Sequence, residues 1–85
     1  MPLISTFFGI IITMNINDHN PPHLHARYGE HKAVYLFDGT VDEGSLPRKQ
    51  HRLVVAWIEL HREELEANWW LLHNEGEAQR IAPLR

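Results

Sequence analysis

The sequence predicts an α+β domain in which a three- or four-stranded antiparallel β-meander is followed by a long C-terminal helix, continuous or broken, packed on one face. Three observations carry this expectation. Apolar residues alternate with polar ones through the first half, turn-forming residues punctuate that half at short intervals, and after Ser45 the apolar period becomes helical. A chain of 85 residues has room for one core, so a single domain is expected. It divides into a meander over residues 3–42, a helical region over 46–74 and a tail over 77–85.

Each element has a local reason. Ile4, Phe8, Ile10, Ile12, Met14 and Ile16 occupy even positions, while Ser5, Gly9, Thr13 and Asn15 are odd. This predicts one strand over residues 3–16 with its even side chains in the core. Asn17-Asp18-His19-Asn20-Pro21-Pro22 stops it, because Asn and Asp favour turns and proline cannot donate to a ladder. A second strand over 23–28 puts Leu24, Ala26 and Tyr28 on one side and His23, His25 and Arg27 on the other. Gly29-Glu30 fits a hairpin turn into a third strand over 32–37, and Asp38-Gly39 turns into a short strand over 40–42.

Ser45 is a candidate N-cap and Pro47 suits a first helical turn. Leu46, Leu53, Val54, Trp57, Ile58, Leu60, Leu65, Trp69, Leu71 and Leu72 share one arc, and Arg48, Arg52, Glu59, Arg62, Glu63 and Glu66 share the other. His61, Glu64 and Asn68 fall inside the apolar arc. Either the helix breaks near Leu60-His61 and restarts with Glu63 and Glu64 in its first turn, or these groups form a polar line in the interface. Gly76 suits the helix exit, and Ile81 and Leu84 are candidate anchors of the tail.

Composition narrows the function. There is no cysteine, which removes disulfides, thiolate metal sites and cysteine nucleophiles. Lys and Arg total 8 against 11 Asp and Glu, a net charge of −3 that disfavours broad nucleic-acid binding. Arg48 and Arg52 would be the centre of any such surface, but acidic residues are interleaved with them. The first 16 residues lack a basic leader and a cleavage signature, and no apolar run nears the roughly 20 residues of a membrane span, so a cytoplasmic setting is expected.

The chain carries 7 histidines, and this excess is its main compositional hint of chemistry. His19, His23 and His25 cluster beside Asp18. Alternate strand residues such as His23 and His25 point the same way, and neutral imidazole suits Zn, Cu, Fe or Ni. Asp18 or His61 would complete a shell for zinc or another divalent transition metal. The same residues could instead fix the turn through hydrogen bonds to carbonyls, or serve in acid-base chemistry. No nucleophile elbow, phosphate-cradling loop or complete catalytic motif is present. Trp70 lies toward the charged arc, which makes it, with Val55, the candidate surface for a small protein partner or a second copy.

Thr6-Phe7-Phe8-Gly9-Ile10, the segment from Asn17 to Ala26 (NDHNPPHLHA), Leu46-Pro47-Arg48 and the run from Trp57 to Trp69 (WIELHREELEANW) together span most of the chain. In these it resembles the domain of unknown function 4160 family. The resemblance implies a small bacterial protein, often encoded beside another small protein in a toxin-antitoxin-like pair, and assigns no chemistry. The leading expectation is therefore a non-catalytic partner-binding or regulatory module. A metal-binding protein or metal-dependent enzyme is the alternative, and a nucleic-acid-binding regulator the second.

Overall fold

The computed structural model describes residues 2–15 and 18–85. Strands β1 (Leu3–Phe7), β2 (Ile10–Thr13), β3 (His23–Tyr28), β4 (His31–Leu36) and β5 (Val41–Gly44) form one antiparallel sheet in chain order. Helices α1 (Arg48–Leu60) and α2 (Arg62–Glu75) follow. The fold is α+β, with five strands where three or four were expected.

The extra strand comes from residues 3–16, which form a hairpin. Phe8 and Gly9 both take positive φ, 49° and 79°, and close a two-residue turn between the paired Phe7 and Ile10. A phenylalanine in the left-handed region is uncommon, so nothing about Phe8 marks a turn. The ladder also shifts register between Leu3 and Ser5, leaving Ile4 as the extra residue. Across that shift the inward phase moves from even to odd: Ile4 and Phe7 enter the core, and Phe8 stands 61% exposed at the hairpin tip. Ile10, Ile12 and Met14 are buried as expected. Ile16 and Asn17, the predicted strand end and turn start, lie outside the described residues.

β3 and β4 pair along their full lengths, His23 opposite Leu36 through to Tyr28 opposite His31. The covered face of the sheet carries Ile12, Leu24, Ala26, Ala33 and Tyr35, all buried with Val54, Trp57, Ile58, Leu65 and Leu72 of the helices. Ile11, Thr13, His25, Arg27 and Val34 alternate with these residues and line the opposite face.

The helical region breaks at His61, one of the two outcomes the sequence allowed. His61 takes φ −118°, ψ 21°, and α2 restarts with Glu63 and Glu64 in its first turn. The His61 imidazole lies 2.6 Å from the Glu64 carboxylate, giving two polar residues of the arc each other as partners. Leu60, at the break, is 69% exposed and leaves the apolar arc to which its spacing assigned it. Ser45 does not cap: Pro47 is the N-cap residue, and the Ser45 amide donates to the Lys32 carbonyl at 3.0 Å. Gly76 ends α2 in the left-handed conformation, as its position implied.

The tail explains Asn68. Its side-chain amide donates to the Gln79 carbonyl at 2.7 Å and its oxygen accepts from the Gln79 amide at 2.9 Å. Ile81 is buried and donates its amide to Ile4 at 2.9 Å, while the Trp57 indole donates to Ala82 at 2.8 Å. Leu84 packs on the same core. Among the described residues no helix is long and apolar enough to cross a membrane.

Candidate metal centre

The start of β3 and the segment before it bring three side chains together. His23 and His25 project from one face of β3, separated by about 7 Å along the strand. Asp18 enters from the preceding loop, which contains a cis Asn20–Pro21 bond. Its Oδ2 lies 3.0 Å from His23 Nε2 and 3.0 Å from His25 Nε2. The three ligand atoms all fall within 4.8 Å of one another.

Hydrogen bonding fixes the tautomer of His23. Its Nδ1 lies 2.8 Å from the Pro21 carbonyl, which can only accept, so Nδ1 carries a proton. In the neutral ring Nε2 then presents its lone pair to the Asp18 carboxylate. Two acceptors 3.0 Å apart repel, and a cation or a second ring proton between them turns the contact attractive. His23 is only 5% exposed and packs on Trp69 with ring centroids 5.3 Å apart, so water screens this contact little.

Burial works against the charged form of Asp18. It is outweighed by the hydrogen bond from His25, the charges of His23 and His25 and the Asn15 side chain, which hold the carboxyl below its usual range. Asn15 Nδ2 also lies 3.3 Å from His25 Nε2, while its Oδ1 is buried with no partner among the described residues.

A residue far away in sequence braces the loop. His73 on α2 donates from Nε2 to the Asp18 carbonyl and from Nδ1 to the Trp69 carbonyl, both at 2.8 Å, and stacks on Trp69 at 4.2 Å. Both acceptors are satisfied together only by the imidazolium. The two carbonyls, Asp18 first, accordingly raise its pKa above the ordinary histidine value. His73 was absent from the candidates because its helical position reads as exposed. A basic group in the last turn of α2 is the one local signal it gives.

The remaining candidates sit elsewhere. His19 is exposed, donates from Nδ1 to the Asn20 carbonyl at 3.0 Å and stacks beside His23 at 5.4 Å, outside the convergent trio. His61 is held by Glu64 and Trp57 at the helix junction. Trp70 is 56% exposed and borders a shallow recess with Pro22, Glu66 and Trp69, whereas Val55 is half-buried against the core and is not part of that recess. Arg48 and Arg52 are exposed on α1. His51, on the same helix, lies 2.8 Å from the buried Tyr35 hydroxyl.

The family model described as domain of unknown function (DUF4160) matches residues 9–70, a span that contains all three convergent side chains. No curated protein and no solved structure matches the chain significantly.

Proposed function

The chain belongs to the DUF4160 family of unknown function, and from that premise we propose that it binds a divalent transition metal through Asp18, His23 and His25. The observation that carries this reading is the convergence of His23 Nε2 and His25 Nε2 on one Asp18 oxygen, each at 3.0 Å, with all three ligand atoms within 4.8 Å of one another. Adjacent ligands on an ion with bonds of about 2.1 Å stand roughly 3 Å apart in octahedral geometry and about 3.4 Å apart in tetrahedral geometry, and both contacts lie at the octahedral end of that range. The hydrogen bond from His23 Nδ1 to a backbone carbonyl is the orienting partner that metal-bound histidines commonly have. Two imidazoles and one carboxylate leave positions open, the donor set of iron(II) oxygenases and of hydrolytic zinc sites. A metal there would supply Lewis acidity or an activated water. Asp18 and the histidines would hold it, and His73 would keep Asp18 in place.

The test is titration of untagged protein with Zn, Co, Ni, Mn and Fe(II), read by elemental analysis and by the visible spectrum of the cobalt form. One equivalent should bind, with affinity falling at least about a hundredfold in His23→Ala and Asp18→Asn. Absence of stoichiometric binding, or equal affinity in His23→Ala, would overturn the reading.

The exposure of Trp70 beside Pro22 supports a second reading, contact with a small protein partner of the kind the family resemblance implies. Co-expression with the product of an adjacent gene should yield a complex that Trp70→Ser weakens. A complex indifferent to that change would remove Trp70 from the interface.

A further inference from the structure

The uncovered face of the sheet is concave and encloses a trough of about 610 Å³. It is lined by Ile11, Thr13, His25, Arg27, Lys32 and Val34, with Glu43 at one corner. Strand register sets these side chains in rows. Ile11, Arg27 and Lys32 form one row, and Thr13, His25, Val34 and Glu43 form the next, about 7 Å along the strands.

Arg27 and Lys32 are directly opposite each other across β3 and β4. Like charges in that relation destabilise a sheet. Among the described residues neither has an ion-pair partner. The two charges are thus left to face the trough together, and a bound anion would convert their repulsion into shared attraction. In the neighbouring row Val34 offers an apolar wall and Glu43 excludes a second anionic group. His25, with about a third of its side chain exposed, reaches from the trough to the Asp18 cluster.

We propose that this trough binds a small organic monoanion whose carboxylate sits on Arg27 and Lys32. Its apolar body lies on Ile11 and Val34, and its far end reaches His25. The anion site stands on the trough and the cationic row alone. Only the presentation of the ligand's far end to a metal rests on the reading in the preceding section.

Amide-resolved NMR titration with 3-phenylpropionate, and with the neutral 3-phenylpropanamide, tests it on both the metal-free and the zinc-treated protein. Saturable shifts at Ile11, Arg27 and Val34 are expected for the carboxylate, with at least tenfold weaker binding of the amide. Arg27→Gln and Lys32→Gln should each weaken the carboxylate several-fold without lowering the melting temperature, since each relieves a repulsion. His23→Ala should leave carboxylate binding intact, and Arg27→Gln should leave metal stoichiometry intact, so each proposal can fail alone. Equal affinity for acid and amide, no saturable shift, or light scattering that shows a second copy covering this face would overturn the anion site.

Discussion

Tyr35 places a phenol in the interior of the sheet–helix core, fully removed from solvent, with its hydroxyl 2.8 Å from His51 Nδ1 and the two rings stacked. Burial raises the Tyr35 pKa above its ordinary value of about 10. The folded state therefore keeps the proton to higher pH than the unfolded state. Stability is fully present below about pH 10 and is lost as pH rises from there through the folded pKa, by at most about 1.4 kcal/mol per unit from this group. Urea unfolding at pH 7, 9.5 and 11 should show that slope in the wild type and a smaller one in Tyr35→Phe. The variant should also be weaker at pH 7 by about 1 kcal/mol for the lost hydrogen bond. If the two slopes are equal, Tyr35 is not the group that titrates. The candidate centre was partly legible at this same scale, because His-x-His on a strand gives two imidazoles one face whatever the rest of the chain does. Asp18 was legible as one of two residues that could complete their shell, His61 being the other, and which of the two converges depends on how the proline-stiffened loop runs. His73 was not legible as a brace: it meets Asp18 across 55 residues, and no spacing rule links a loop to the last turn of a helix.

Among the elements, β5 depends most sharply on one residue. Gly44 has φ 70°, and a Cβ there would collide with the Lys32 carbonyl oxygen across the β4–β5 pair. That carbonyl is already committed as acceptor to the Ser45 amide, so it cannot withdraw without breaking the link that turns the chain toward α1. Gly44→Ala combines left-handed strain with this backbone clash and should cost about 2–4 kcal/mol. Gly29→Ala, also at positive φ but with open space around its Cβ position, should cost about 1 kcal/mol. Chemical unfolding of the two variants tests the contrast, and comparable losses would remove the clash from the explanation. The alternation that marked strands at 23–28 and 32–37 succeeded because β3 and β4 pair with each other without a register shift. It failed over 3–16 because a bulge at Ile4 and a tight turn at Phe8-Gly9 leave the apolar count almost unchanged while reversing the chain. The break at His61 was legible as one alternative because polar residues in an apolar arc need partners, and the local Glu64 supplies one.

For the molecule as a whole, the tail closes the core. Residues 78–85 bury Ile81, give Trp57 its indole acceptor, satisfy both polar atoms of Asn68 and donate to the Ile4 carbonyl at the edge strand of the sheet. The sequence marked Ile81 and Leu84 as anchors, yet the polar half of the arrangement depends on backbone groups whose destinations residue types do not reveal. Removing residues 78–85 exposes an isoleucine site worth about 2 kcal/mol. It also strands the Trp57 indole and the Asn68 amide in the interior, at about 1–3 kcal/mol each. The total, roughly 4–8 kcal/mol, rivals the whole stability expected of a domain this small. The truncated chain should therefore lose its near-UV circular dichroism and cooperative melting while keeping much of its far-UV signal, the pattern of a collapsed state without fixed packing. The metal reading adds a condition to this outcome, because an ion at a thousand times its dissociation constant stabilises the folded state by about 4 kcal/mol. Zinc should then restore cooperative melting in the truncated chain, and should fail to do so when His23→Ala is added. Restoration in both would place the stabilising zinc away from Asp18 and His23, and a truncated chain that melts like the full one would show that the tail does not hold the core.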